Sequence, residues 1–243
     1  FGAPRELVGA PRDLFGCSGC GFRSSHPDQV GESILKAIET DTLSTLFPLY
    51  RHMHVLGGDP LLYPWLPILL QYLKGKGCQV SLWLIGGADL DVLSDSVSCI
   101  DQAYLYCLEL DDSVYLEQMG VDGLSHWHAT FSFLLKGACR LVLHRPVSPD
   151  TIQTLPDTYS FAYDHGAELL LHYDPTQGFG RDSLSYIKRY NRISRVSVYH
   201  TKYFQESGCP LVPLAVIQDP FQQFKNQVFN GVNRVRVYLN LGQ

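Results

Sequence analysis

No stretch of this 243-residue chain is long and apolar enough to read as a membrane span. The longest apolar-rich run, Leu61 to Leu73, is 13 residues and is broken by Pro64 and Pro67, whereas a spanning helix needs about 20 apolar residues. Positive charge is also short: 19 Lys and Arg against 24 Asp and Glu give a net charge of −5. There is thus no basic footprint, and neither general nucleic-acid binding nor attachment to an anionic membrane is expected. Blocks of like charge that mark interaction tails do not occur. Charged residues make up only 18% of the chain and apolar ones 45%, which rules out disorder as the main state.

Several catalytic signatures are missing as well. No G-x-S-x-G elbow is present, so a Ser-His-Asp hydrolase is not indicated. A Walker loop is lacking, and Gly178-Phe179-Gly180 has neither the third glycine nor the preceding βα context of a dinucleotide fingerprint. The seven cysteines are an odd number and mostly isolated in apolar segments. With no signal-peptide pattern, that usage predicts a reducing, cytoplasmic compartment. The chain starts at Phe1 without methionine, the start expected of a fragment or processed product.

What is present is a repeated alternation of two textures. Residues 1–16 carry a short tandem repeat, Gly-Ala-Pro-Arg-Glu-Leu-Val then Gly-Ala-Pro-Arg-Asp-Leu-Phe, and read as a Gly/Pro-rich N-terminal arm. Beyond it, β-rich runs fall at Met53–Leu56, Gln79–Ile85, Gln102–Leu110, Arg140–Val147, Glu168–Tyr173 and Arg195–Tyr203, spaced as a strand, a helix and two loops. Leu62, Leu66, Leu69, Leu70 and Leu73 fall on one face at 3.6 residues per turn, and Gly75 and Gly77 can end that helix. The strand runs are apolar on both faces more often than alternating, which suits a parallel sheet covered by helices. A last run, Arg234 to Leu241, could add a strand. The expectation is α/β: a single domain over residues 17–243 forming a partial parallel (β/α)6-type barrel.

Ligands of parallel α/β folds sit at the carboxyl ends of strands. There the sequence offers Gly57-Gly58-Asp59-Pro60, Gly86-Gly87-Ala88-Asp89, Glu109 with Asp111 and Asp112, Arg145 with Pro146, and His172-Tyr173-Asp174. Each group can also be explained as ordinary loop chemistry. Tyr186, Tyr190, Tyr199 and Tyr203 could stack a flat substrate or simply fill the wall. His52 with His54, and His126 with His128, have an i, i+2 spacing that suits one strand face, but no cysteine or carboxylate completes either pair as a metal site. Cys17-Ser18-Gly19-Cys20 is a C-x-x-C pair, able to chelate zinc, hold part of an iron–sulfur cluster or act as a redox couple. No second pair completes a four-thiolate site. Cys107 and Cys139 read as core thiols, leaving Cys209 as the plausible distant partner.

Together, Cys17-x-x-Cys20 followed by Phe22, and Leu56-Gly57-Gly58-Asp59-Pro60-Leu61-Leu62, resemble the cysteine loop and the G-G-E-P segment of radical S-adenosylmethionine (SAM) enzymes. The resemblance is diffuse over residues 13–203 and sharp at 15–22 and 55–62. It implies a [4Fe–4S] cluster with Cys17 and Cys20 as ligands, SAM held at Gly57, Gly58, Asp59 and Pro60, and an electron donor as partner. It further implies reductive cleavage of SAM to a 5′-deoxyadenosyl radical that abstracts hydrogen from a small-molecule or peptide substrate. Arg145 and Asp174 are the candidate further contacts to SAM or substrate. The family's first cysteine falls at Asp13 here. A carboxylate is a harder iron ligand than a thiolate. Asp13 therefore marks an unusual ligand, a cysteine set further upstream, or a degenerate barrel serving as a non-catalytic binding or scaffold subunit. A zinc or redox site at Cys17 and Cys20 alone is the remaining alternative.

Overall fold

Strand and helix alternate along the chain as the sequence predicts. The computed structural model describes residues 35–36, 38–41, 44, 52–56, 60–62, 65–86, 90–107, 109–111, 113, 124–173, 179–190, 192–200, 211–213 and 237–240. In chain order these hold β1 (His52–Leu56), α1 (Leu66–Gly75), β2 (Gln79–Leu84), α2 (Leu90–Ser96), β3 (Gln102–Tyr106), α3 (Leu124–Lys136) and β4 (Arg140–Val147). There follow α4 (Leu155–Asp164), β5 (Glu168–Tyr173), α5 (Arg181–Tyr190), β6 (Val196–His200), β7 (Leu211–Pro213) and β8 (Val237–Asn240).

All eight strands join one parallel sheet in the order β6-β5-β4-β3-β2-β1-β8-β7. Among the described residues no pairing joins β6 to β7, so the sheet is open, as a partial barrel is. The run at 234–241 does add a strand, which pairs with β1 through Met53–Val237 to Leu56–Asn240. The three-residue β7 was not anticipated, since three residues carry too little periodicity to register. Expected strand Gln102–Leu110 ends earlier, at Tyr106, because Glu109 turns aside into a buried ion pair described below.

Neighbouring parallel strands β1 to β6 are each joined through a helix, and such crossovers are right-handed, so the five helices fall on one side of the sheet. That side is aliphatic. Met53 and Val55 of β1, Val80, Leu82 and Leu84 of β2, Leu105 of β3, Leu143 of β4 and Leu171 of β5 are all buried. Register keeps them in rows, for example Val55–Leu82–Ala103–Leu141. The helical stripe of α1 seats Leu66, Leu69, Leu70 and Leu73 in this core, each fully buried. Pro67 stands in its first turn, where its missing N–H costs nothing.

The helix then stops in a Schellman turn. Gly77, at φ 77°, donates to Lys74 O (2.9 Å), and Cys78 donates to Leu73 O (3.1 Å). The same bonds recur after α4, from Gly166 to Tyr163 O and Ala167 to Ala162 O. In both cases the strand begins with the next residue, so one turn type sets two helix-to-strand joints. At the amino edge Asp101 ties three strands together: its carboxylate accepts from Val80 N and Lys74 Nζ, and its carbonyl from Arg140 N.

Gly86 closes β2, and here the sequence pointed to a ligand contact. Its φ is 89°, and an added Cβ would meet Leu105 Cδ1 and Trp127 Cδ1, each at 3.0 Å. The glycine admits Trp127 of α3, whose indole N–H donates to Tyr106 O at 2.6 Å. Gly86→Ala should therefore cost about 2–5 kcal/mol, from left-handed backbone and overpacking together. Gly75→Ala, with nothing within 4 Å of its Cβ, should be neutral or gain about 0.5–1 kcal/mol. Urea unfolding midpoints check both; equal midpoints for the two variants would refute the packing role of Gly86.

Candidate functional site

The sheet face turned away from the helices is lined largely by rings, with Val142 of β4 and Leu170 of β5 as buried aliphatic members. His52 and His54 come from β1, Ser81 and Trp83 from β2, Tyr104 and Tyr106 from β3, His144 from β4 and His172 from β5. Strict alternation puts them on one face, and register places Trp83 beside Tyr104, Tyr106 beside His144, and His54 beside Ser81. The Trp83 and Tyr104 rings stack with centroids 4.1 Å apart and planes at 9°. His52 stacks on His54 at 4.5 Å, and His144 meets Trp83 edge-on at 5.2 Å and stacks with His172 at 5.7 Å. His54, Ser81, Tyr106 and His144 are buried, while His52, Trp83, Tyr104 and His172 keep part of their surface exposed.

Two imidazoles on this face are neutral, for different reasons. Trp83 Nε1 donates to His54 Nδ1 at 3.0 Å. An indole N–H can only donate, so His54 Nδ1 carries no proton and the ring is the Nε2–H tautomer. His144 is fully buried, and that burial, with the His172 imidazole beside it, holds its pKa well below the usual imidazole range. His52 Nε2 shares a 2.7 Å hydrogen bond with Ser81 Oγ. Arg140 and Glu168 are the only guanidinium and carboxylate among the described strand residues on this face. They pair with each other through two hydrogen bonds at its amino edge.

Charge of another kind lies on the helix-covered side. Arg145, adjacent in sequence to His144, points to the opposite face and is 0% exposed. Its Nη2 donates to Glu109 Oε1 (2.8 Å), Thr154 Oγ1 (2.6 Å) and Thr151 O (3.2 Å), and Thr154 Oγ1 also donates to Glu109 Oε1 at 2.8 Å. This cluster joins the segment after β3 to the turn before α4, both at the carboxyl edge of the sheet. Beside it Cys107 is buried, and burial pushes its thiol up to about 12, which keeps it protonated. That matches a core thiol.

Of the residues that the resemblance assigns to cluster, SAM or substrate, Arg145 and Pro60 lie among those described. Pro60 is buried in the 3-10 turn Pro60–Leu62, four residues past the end of β1. Asp13, Cys17, Cys20, Gly57, Gly58, Asp59 and Asp174 lie outside the described residues, as do Cys209 and Tyr203. Among the described residues no group of three His, Cys, Asp or Glu is placed to hold a metal ion, and no helix is long and apolar enough to cross a membrane. His126 and His128 correct one expectation: they sit on helix α3, not a strand, and both are exposed. Two residues apart on a helix they share no face. Tyr186 and Tyr190 lie on α5 and bond to each other through their hydroxyls at 3.1 Å, away from the ring-lined face.

That face was missed from the sequence, although its signal was present. His-Met-His-Val, Ser-Leu-Trp-Leu and Tyr-Leu-Tyr alternate aliphatic with aromatic or imidazole residues, and a scale that counts both kinds as apolar hides the period of two.

The architecture defines an open, all-parallel α/β sheet with helices on one side. No protein-family model and no curated protein matches the chain. Solved structures do match. Streptococcus suis SuiB is similar over 73% of this chain and 44% of its own length, at 14% identity and a TM-score of 0.51. SuiB bound to precursor peptide SuiA is similar over 90% of this chain and 52% of its own length, at 12% identity and a TM-score of 0.56. The chain thus spans about half the length of the structures it matches. At this identity the likeness shows the fold, which agrees with the partial barrel expected from the sequence.

Two measurements test these electrostatics. Glu109→Gln leaves a buried guanidinium uncompensated and should cost about 3–5 kcal/mol, whereas Glu109→Leu with Arg145→Met should cost less than that single change. Urea unfolding of both decides it; an exposed-pair value of under about 1 kcal/mol for Glu109→Gln would contradict the burial. For His144 the folded pKa lies below the unfolded value of about 6.5, so the unfolded chain binds more protons as the solution is acidified. The stability it contributes is complete above about pH 6.5 and is lost as pH falls toward the folded pKa. His144→Phe should flatten that slope in unfolding midpoints taken from pH 7.5 downward; an unchanged slope would remove His144 from it.

Proposed function

We propose that this chain is the partial-barrel core of a radical SAM-type enzyme acting on a peptide. The observation that carries the proposal is the ring-lined, charge-poor face of an all-parallel sheet, whose strand β1 runs directly into the segment resembling the SAM-binding G-G-E-P motif. The similarity to SuiB bound to a precursor peptide supports a peptide as substrate class. In this reading Cys17 and Cys20 hold the [4Fe–4S] cluster, with Asp13 at the third position. Gly57, Gly58, Asp59 and Pro60 hold SAM, and Asp174 follows β5 as a further contact to SAM or substrate. The donor set fits such a cluster in its two thiolates, since soft sulfur ligands suit iron–sulfur centres. When bound, the cluster and SAM supply one-electron chemistry that ends in hydrogen abstraction, with the electron delivered by a separate donor.

The chain's own residues have a different task. A face of stacked rings, with His54 and His144 neutral among them, presents little formal charge to a reactive centre. Arg145, with Glu109 and Thr154, fixes the carboxyl-edge segments from behind the sheet and so acts as a positioning residue. Asp13 in place of a cysteine supports the second reading, a barrel of the same descent that binds without a cluster.

Anaerobic iron–sulfur reconstitution separates the two. About four irons per chain with an absorbance band near about 400 nm are expected for the enzyme. Cys20→Ala should lose both signals, and Asp59→Ala should keep them while weakening SAM binding. Unchanged iron in Cys20→Ala would refute the ligand assignment, and no stable cluster in the intact protein would favour the non-catalytic reading.

A further inference from the structure

We infer that the Trp83–Tyr104 stack is a recognition platform for an aromatic side chain of the peptide. The inference takes its location from the function proposed above and its ligand class from the rings themselves. Trp83 and Tyr104 are a directly registered cross-strand pair with nearly parallel planes. Both keep part of their surface exposed, while His54, Ser81, Tyr106 and His144 around them are buried. Accessible π surface is therefore present at the stack, alongside the part-exposed Gln102 and Pro146 on the same face.

The polar atom that Trp83 carries is already committed. Its indole N–H is given to His54 Nδ1, so the ring has no donor left and what it presents is apolar area and a quadrupole. Aromatic partners add to such a surface by offset or edge-on stacking. Formal charge does not compete: Arg140 and Glu168 cancel each other at the amino edge, and His144 is neutral. An acidic or basic side chain would find no guanidinium or carboxylate left unpaired there among the described strand residues and would lose its hydration. An aliphatic side chain would gain burial but no ring–ring contact. A flat, neutral ring matches the two stacked rings best. Trp83 lies in the carboxyl half of β2, and Tyr104, its registered partner, at the centre of β3.

The test uses the full chain labelled with 5-fluorotryptophan, which gives a fluorine resonance for each of Trp65, Trp83 and Trp127. The Trp83 signal is assigned from Trp83→Phe. N-acetyl-phenylalaninamide, N-acetyl-leucinamide and adenosine are the three probes. The phenylalanine amide should shift the Trp83 signal saturably and leave Trp127 unmoved, and the leucine amide should bind about fivefold more weakly or not at all. Tyr104→Phe should keep the response and Tyr104→Leu should weaken it by a similar factor.

Equal shifts with the leucine amide, a Trp83 signal that moves with adenosine alone, or no Trp83 shift with any probe would each overturn the inference. Should Tyr104→Leu fail to fold, the probe comparison on the unsubstituted chain still decides it. Iron reconstitution is scored separately. A cluster with a silent Trp83 sinks the platform alone, and a responsive Trp83 without a cluster sinks the radical reading alone.

Discussion

A parallel ladder of neighbouring strands constrains everything else in this protein. Each crossover between adjacent parallel strands is right-handed, so five helices are driven to one side and the other side of the sheet is left without them. In-register pairing then carries a residue's face across the sheet: Val55, Leu82, Ala103 and Leu141 line up behind it, and Ser81, Gln102 and their neighbours line up in front. A one-residue slip in any strand would exchange the two sets. The aliphatic core and the ring-lined face are therefore one feature seen from two sides.

The two sides also divide the electrostatic work. Behind the sheet, full burial of Arg145 is offset by Glu109 and by the Thr154 hydroxyl, which donates to the carboxylate and accepts from the guanidinium. Such a pair is costly to break from one end and specifies a single arrangement of the segments it joins. In front of the sheet, Trp83 and burial keep His54 and His144 neutral. Adjacent residues His144 and Arg145 thus belong to opposite regimes, one uncharged among rings and one charged within an ion pair. Strand alternation alone separates them.

Local turns hold the strand ends where these arrangements need them. The paired Schellman stops at Gly77 and Gly166 deliver β2 and β5 into register directly after their helices. At the other edge, Gly86 lets Trp127 close over the end of β2 and reach the Tyr106 carbonyl. A glycine that reads as room for a ligand is in this case room for a tryptophan. Sequence cannot distinguish the two, because both require a missing Cβ and only the partner's identity differs.

The α/β class, four of the eight strands nearly to the residue and the buried stripe of α1 were legible because each is a local pattern, repeated along the chain. Arg140–Val147 and Glu168–Tyr173 announce themselves as β-rich runs, and Leu66, Leu69, Leu70 and Leu73 by the helical period. The motif residues Cys17, Cys20 and Gly57–Pro60 were legible in the same way, as short spacings. Less visible was where side chains from distant strands meet. Arg145 followed a strand run and so resembled a ligand contact, but its partner Glu109 is 36 positions away and lies on the helix side. His126 and His128 suited a strand until helix packing claimed Trp127 between them. The amino-acid sequence by itself determined the elements and their order, because hydrophobic period and turn chemistry act over a few residues. Only the tertiary structure decided that Trp83, Tyr104, His54 and His144 share one face, because that meeting depends on register between strands that no local pattern encodes.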